Sequence, residues 1–244
     1  MHRIILQMGP ITLYSYGLFV AIAFFVCTMM ILRGARGVGL AREKVFDCMI
    51  AMLAGGLAGG RLLFVAINWE QFSAAPVRIF MLHEGGLAFQ GAFVGGALAV
   101  ILVARIRRLP IWPLADLIAP YITLGQALGR IGCFLNGCCY GRVTTCGVGV
   151  VFPTETVMRI PTQVYSTLAL TFIFTVLLIA REKKKFQGQV FCLYLMLYSV
   201  FRFIMDIFRG DELVGYAGLT LSQWISAGML VVGIVLYWVL SKRK

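Results

Sequence analysis

Long apolar runs, separated by short polar and basic segments, make up most of the chain. Seven of these runs are long enough to cross a bilayer as helices, because about 20 residues rising ~1.5 Å each span the ~30 Å hydrocarbon layer. We predict transmembrane helices at about residues 11–32, 45–67, 87–104, 111–128, 161–180, 189–208 and 219–240. The pattern therefore predicts an all-α, polytopic membrane protein with seven transmembrane helices.

Two further segments are too short or too polar to cross. Residues 68–86 mix aromatic with charged side chains such as Glu70, which predicts an interfacial helix lying on the membrane, with His83 as a side chain without a role. Residues of about 132–160 are polar and glycine-bearing, and we predict a small extracytoplasmic head segment there. No soluble second domain is indicated, so we expect residues 1–244 to form a single integral membrane domain.

The positions of the basic residues predict the orientation in the membrane. Most of the 22 lysine and arginine residues follow the first, third and fifth runs or lie in the C-terminal tail. Such an excess marks the cytoplasmic side of a membrane protein. We therefore predict that the N-terminus, the interfacial helix and the head segment lie outside and that the C-terminus is cytoplasmic. In a bacterium this describes a multi-pass protein of the inner (plasma) membrane.

The composition agrees with a membrane protein and argues against a nucleic-acid binder. The chain is 60% hydrophobic and only 13% charged, whereas a soluble domain is about 25% charged. The net charge of +12 falls in short loops beside the membrane, where it suits anionic lipid. We expect membrane lipids as partners and no nucleic acid.

Five charged residues lie in or beside the apolar runs and need an explanation: Arg61, Asp116, Arg130, Arg202 and Asp206. Each costs roughly 2.5–3.5 kcal/mol on insertion scales, and such residues usually face the interior of the helix bundle. Arg202 and Asp206 are one helical turn apart, so they can pair. The spacing fits a structural ion pair, and it equally fits an arginine that Asp206 orients toward a phosphate.

The seven cysteines fall into two groups. Three lie in apolar runs, where we expect small packing residues: Cys27, Cys48 and Cys192. Four cluster in the outer segment that follows the fourth run: Cys133, Cys138, Cys139 and Cys146. A disulfide or free thiols would explain this cluster. The spacing lacks the paired C-x-x-C ligands of a zinc site, so we predict no metal site and no cofactor.

The segment 129–141 reads GRIGCFLNGCCYG and carries the most specific resemblance in the chain. It resembles the signature of the prolipoprotein diacylglyceryl transferase family. Further stretches resemble the same family in the same order along nearly the whole chain: residues 9–10, 14–18, 85–91, 159–165 and 201–209. Members of that family transfer a diacylglyceryl group from phosphatidylglycerol to the thiol of the lipobox cysteine in a prolipoprotein, forming a thioether and releasing glycerol phosphate.

The resemblance implies roles for individual residues. Arg130, Arg202 and Tyr16 match positions that the family uses, and we expect them to be catalytic: the arginines hold the phosphate, and Tyr16 hydrogen-bonds the headgroup or the leaving group. We expect four further residues to bind substrate alongside Arg130: Asn136, Gly141, Gln90 and Asp206. By its position alone, Tyr16 would equally suit an aromatic belt at the membrane interface.

The chain departs from the family pattern at several of these positions. Gln90 stands where many members have a histidine, and an amide cannot act as a general base. Cys133 replaces an asparagine and Cys138 a glutamate, whereas Asp206 keeps the carboxylate of the usual glutamate. We therefore assign no base. A thiol with pKa ~8.5 is deprotonated at pH 7 at a cost of about 2 kcal/mol, which a positive site can supply.

Two other functions are consistent with parts of the sequence. Buried charges among seven helices would suit a small-solute transporter, although we find no pair of broken, pseudo-symmetric helices. The cysteine cluster would suit a membrane thiol-redox protein, in which serine substitutions should abolish activity. A diacylglyceryl transferase accounts for more of the chain than either alternative.

Overall fold

The computed structural model of the protein describes residues 4–8, 11–73, 75–81, 85–153, 155–209 and 218–243. The fold is mostly helical. The helices are α1 Ser15–Ala35, α2 Arg42–Ile67, α3 Trp69–Ser73, α4 Phe89–Ile106, α5 Ile111–Asn136, α6 Thr162–Glu182, α7 Gln189–Phe208 and α8 Leu221–Ser241. Two small antiparallel sheets pair β1 Ile4–Met8 with β2 Ile11–Tyr14, and β3 Val150–Val151 with β4 Met158–Arg159.

Six helices within the described residues are long and apolar enough to cross a membrane: α1 with the following turn, α2, α4, α6, α7 and α8. The predicted fourth run lies within α5, which is not one of the six. Its apolar pattern is interrupted by Asp116, Thr123, Gln126 and Arg130. A polytopic, mostly helical membrane protein is thus confirmed, whereas the seventh crossing is not.

Two predicted helix boundaries were wrong. Residues 11–14 form β2, and α1 begins only at Ser15, because the β-branched Ile11 and Thr12 favour extended backbone beside β1. The fourth run was predicted to end at residue 128, but α5 continues to Asn136. The signature is therefore largely helical, and the non-helical segment begins at Gly137 rather than at residue 132.

The described residues fall into two compact units, and the first comprises those within the ranges 1–31 and 115–244. Its core includes buried side chains of α5, α6 and α7, among them Ala119, Leu170 and Tyr194. Buried Asp116 accepts hydrogen bonds from the backbone N–H groups of Gly188 (2.8 Å) and Phe191 (3.1 Å) and pairs with Lys184. Asp116 therefore satisfies free N–H groups at the start of α7 and has a structural role.

The second unit, residues 32–114, is built on the packing of α2 against α4. A Cβ atom at Gly55 would lie 2.6 Å from the carbonyl oxygen of Gly95, and one at Gly59 would collide with the carbonyl oxygen of Gly91. Any larger residue at these positions would force the helices apart. The glycines thus allow the two helices to pack closely.

Residues 68–86 do not form the single interfacial helix that we predicted. The structure has the short helix α3 and a 3₁₀ helix at Pro76–Phe80, where Pro76 begins the second element and cannot continue the first. Buried Arg61 donates hydrogen bonds to the carbonyl oxygens of Ile79 (2.8 Å) and Gly85 (2.6 Å), among others. Arg61 therefore fixes this loop. His83 lies outside the described residues, as do Gly9, Pro10 and residues 210–217.

Candidate active site

The C-terminus of α5 determines the geometry of the signature. Gly137 adopts a left-handed conformation (φ 73°) just after the helix. Its N–H donates to the carbonyl oxygen of Phe134, and the N–H of Cys138 donates to that of Cys133, each at 3.1 Å. This pair of bonds is the Schellman motif, in which the residues in the positions of Cys133 and Cys138 come into contact. The helix cap therefore brings two cysteines together.

The first turn of α1 lies against the last turns of α5. A Cβ atom at Gly132 would lie 2.9 Å from the Cβ of Phe19 and 3.4 Å from the Cα of Tyr16. The absence of a side chain at Gly132 thus permits the close approach of the two helices. Tyr16, predicted to be catalytic, is brought within electrostatic range of Arg130 and of Cys133.

Arg130 is half-buried on the last turns of α5. Its charge acts on Tyr16, Cys138 and Cys139. Among the residues that the structure describes, none forms a hydrogen bond or an ion pair with its guanidinium group. A guanidinium group has five N–H donors and favours bidentate binding of phosphate or carboxylate. The position of Arg130 is therefore suited to an anionic ligand.

Three of the four clustered cysteines converge. The sulfur atoms of Cys133, Cys138 and Cys139 all lie within 4.8 Å of one another, whereas Cys146 is exposed and outside this group. Hydrogen bonds from Cys133 and from Cys139 lower the pKa of the Cys138 thiol, and the Asn136 side chain and the Arg130 charge act in the same direction. The thiolate form of Cys138 is therefore favoured.

Contacts from α6 hold the backbone of the vicinal cysteines. The hydroxyl group of Thr162 donates to the carbonyl oxygen of Cys139 (2.8 Å), and the amide of Gln163 donates to that of Cys138 (2.6 Å). Both donors are buried. Neither residue was predicted from the sequence to belong to the site, although residues 159–165 belong to the stretches that carry the resemblance.

Gly141 is buried where the signature meets the end of α7. It forms a bridge with Arg209, and a Cβ atom there would lie 2.6 Å from the carbonyl oxygen of Phe208 and 2.8 Å from the Thr162 side chain. Its own neighbours fill the space beside it. The close contacts thus explain why this residue is glycine. Its contact with substrate stays a prediction.

Arg202 and Asp206 pair on α7, as predicted. The distance from Nη2 of Arg202 to Oδ1 of Asp206 is 3.0 Å, and the carboxylate is fully buried. The Arg202 guanidinium also donates to the hydroxyl group of Ser222, from Nε at 3.1 Å and from Nη2 at 2.8 Å. Ser222, on α8, was not predicted. These contacts do not join Arg202 to Arg130, and their joint action on one phosphate stays a prediction.

The segment after the signature is stabilised by a polar network. The Tyr140 hydroxyl donates to Glu155, which also pairs with Arg159 at 2.9 Å. The Arg159 guanidinium lies over the ring of Tyr140. The hydrogen bond from Tyr140 and the contact with Arg159 lower the pKa of Glu155. The network holds the strands β3 and β4 beside the residues that follow the cysteines.

Gln90 is exposed in the first turn of α4. It belongs to the unit of residues 32–114, whereas Tyr16, Arg130, Asn136, Gly141, Arg202 and Asp206 belong to the other unit. Its predicted contact with substrate therefore stays a prediction.

These features define a polytopic membrane protein with an arginine and a thiol cluster at one end of a buried helix. A sequence model of the prolipoprotein diacylglyceryl transferase family matches residues 3–239. The chain belongs to that family.

Relatives align along nearly their whole length. The chain is 33% identical to phosphatidylglycerol–prolipoprotein diacylglyceryl transferase 2 of Clostridium perfringens, over 96% of this chain and 94% of the relative. It is 34% identical to the transferase of Shouchella clausii (97% and 89%) and 32% identical to that of Geobacter sulfurreducens (98% and 95%). The match covers both units of the fold.

Proposed function

We propose that the protein transfers the diacylglyceryl group of phosphatidylglycerol to the lipobox cysteine thiol of prolipoproteins, forming a thioether and releasing glycerol phosphate. The observation that carries this proposal is the position of Arg130 in the family signature, half-buried beside Tyr16 and without a bonded partner among the described residues. The family and its named relatives support the same reaction. Among the described residues of the site, no contact favours a transporter or a thiol-redox enzyme over it.

In this reaction Arg130 binds the phosphate of the lipid and stabilises the negative charge that grows on the leaving group as the carbon–oxygen bond breaks. Preorganised donors of this kind act without a proton transfer and often make the largest contribution to catalysis. Arg202 contributes a second guanidinium group, which Asp206 and Ser222 hold in one orientation. Bidentate donors also fix the orientation of the phosphate.

The remaining predicted site residues, apart from Asp206, contact substrate directly. Tyr16 hydrogen-bonds the headgroup or the leaving group, while Asn136 and Gly141 shape the pocket around Arg130. Gln90 contacts substrate through its amide. Asp206 acts through Arg202 rather than on the lipid itself. The transfer described above requires no cofactor.

We also propose the arrangement in the membrane. The chain crosses seven times, since α5 crosses in addition to the six helices named above. It forms a single membrane domain whose N-terminus lies outside and whose C-terminus is cytoplasmic. The basic segments after α1, α4 and α6 support this orientation. The end of α5 and residues 137–160 then face outward in the inner membrane of a bacterium, where exported prolipoproteins arrive.

A purified sample in detergent with lipid tests the reaction directly. Isotope-labelled phosphatidylglycerol and a lipobox peptide are incubated with the protein, and mass spectrometry follows the peptide. We expect a diacylglyceryl group on the cysteine sulfur and one glycerol phosphate released for each peptide modified. A peptide with serine in place of the cysteine is the control. Labelled lipid that is left unconsumed, or label on the serine peptide, would contradict the proposal.

A further inference from the structure

The three converging cysteines form a cluster that the proposed transferase mechanism has not used. Cys133, Cys138 and Cys139 bring their sulfur atoms within 4.8 Å of one another, and the sulfur atoms of Cys138 and Cys139 are 3.7 Å apart. Sulfur ligands on one tetrahedral zinc ion, with Zn–S bonds of ~2.3 Å, lie roughly 3.8 Å apart. The cluster thus has nearly the dimensions of three corners of a zinc site.

The backbone is built to keep these thiols together. The Schellman motif at Gly137 places Cys138 beside Cys133. Cys139 adopts φ 65°, a left-handed conformation that is uncommon for a residue other than glycine and indicates local strain. Buried Thr162 and Gln163 hold the carbonyl oxygens of the two vicinal cysteines. A disulfide would use only two of the sulfur atoms, whereas a metal ion uses all three.

We propose that Cys133, Cys138 and Cys139 bind one zinc ion and leave its fourth position open for the thiol of the incoming substrate. Three protein ligands with one open position are typical of catalytic zinc. Zinc with three thiolates carries one net negative charge, and the charge of Arg130 acts on Cys138 and Cys139 from close by. The fold thus brings together three sulfur ligands that the spacing along the sequence did not indicate. This metal site replaces our prediction that the protein has none.

With such a site, the substrate thiol needs no general base to lose its proton. This step of the inference rests on the proposed function. A thiol that coordinates zinc loses its proton, which passes to water, so a glutamine at residue 90 is no obstacle. The zinc-bound sulfur then attacks the carbon of the diacylglyceryl group that is bonded to the phosphate oxygen. The new carbon–sulfur bond forms as the carbon–oxygen bond breaks. The electron pair of the carbon–oxygen bond leaves with glycerol phosphate. The neutral thioether dissociates from zinc, and water takes its place.

Metal analysis of the purified full-length protein tests the site without relying on activity. The protein is prepared under reducing conditions with added zinc sulfate, passed through a desalting column and analysed for zinc by mass spectrometry. We expect a single zinc ion per chain, with a sulfur-dominated X-ray absorption spectrum. Cys133→Ser and Cys138→Ser should each lose most of the metal, whereas Cys146→Ser, outside the cluster, should retain it.

Several outcomes would overturn the proposal. They are wild-type protein without retained zinc, equal zinc in all variants, or a disulfide within the cluster that persists under reducing conditions. Thermal unfolding identifies any variant that fails to fold, and partly exposed Cys138 serves as the second variant beside buried Cys133. The two hypotheses fail separately. Zinc on the cluster without thioether product rejects only the proposed function, and thioether product without zinc rejects only the metal site.

Discussion

The substitution Gly132→Ala tests whether the close approach of α1 to α5 positions the catalytic groups. The added Cβ would lie 2.9 Å from the Cβ of Phe19, whereas carbon atoms in good contact are about 3.5–4.0 Å apart. The first turn of α1 must therefore move by about 0.6–1.1 Å, and Tyr16 moves with it. The change adds only one methyl group and removes no polar side chain.

The expected losses of activity and of stability follow from that displacement of α1. A misplacement of ~1 Å can reduce catalysis about 100-fold. We therefore expect kcat to fall roughly 10- to 100-fold, since the shift is at or somewhat below that size. Overpacking should also destabilise the protein by about 1–3 kcal/mol, which outweighs the ~1 kcal/mol that alanine gains over glycine in a helix.

Gly129→Ala is the matched control, because a Cβ at that position has no neighbour within 4 Å. It makes the same chemical change on the same helix without the overlap. The assay is thioether formation with labelled lipid and lipobox peptide, measured beside thermal unfolding. We expect unchanged or higher stability for Gly129→Ala and a much smaller loss of kcat than for Gly132→Ala. Equal activity and stability of the two variants would refute the positioning role of Gly132.

Three further predictions concern the polar contacts. Asp206→Asn should reduce kcat about 10- to 100-fold, since a hydrogen bond to a charged group contributes ~1.5–3 kcal/mol, and Asp206→Glu should restore part of it; equal kinetics of the two variants would contradict this. Asp116→Asn should destabilise the fold by about 3 kcal/mol with an unchanged KM for lipid, measured by thermal unfolding and kinetics. The lowered pKa of Glu155 means that its contribution to stability is complete above its ordinary pKa and is lost as pH falls through the folded value. The protection factors of amides around β3 and β4, which correct for the slower intrinsic exchange in acid, should therefore fall as pH falls, and less so in Tyr140→Phe, which already lacks one partner.

The apolar pattern predicted most helices because burial in lipid depends on the local run of side chains. Residues 189–208 were predicted with the bounds that the structure has for α7. The end of α5 was missed because the predicted run stopped at residue 128, where the apolar stretch gives way to the glycines and polar residues of the signature, whereas residues 129–136 are helical. Gly137, the actual cap, has the left-handed conformation that glycine favours.

The site could be predicted only in part, because several contacts depend on distant segments. The Arg202–Asp206 pair follows from helical spacing. Its partner Ser222 comes from α8, and no local pattern indicates that contact. The convergence of the thiols depends on a helix cap, a left-handed residue at Cys139 and donors from α6. The spacing of these residues along the sequence does not indicate how close they lie in the fold.

The proposed reaction depends above all on the binding, by the Arg130 guanidinium, of the phosphate that leaves with glycerol. The most direct measurement is the release of labelled glycerol phosphate by Arg130→Ala, compared with Arg142→Ala, which removes an exposed arginine after the same signature. We predict that Arg130→Ala loses at least about 100-fold in kcat/KM, because charge-assisted bonds to the leaving group contribute ~3–4 kcal/mol, and that Arg142→Ala stays near wild type. Equal release by both variants, with both inserted in the membrane, would contradict the account.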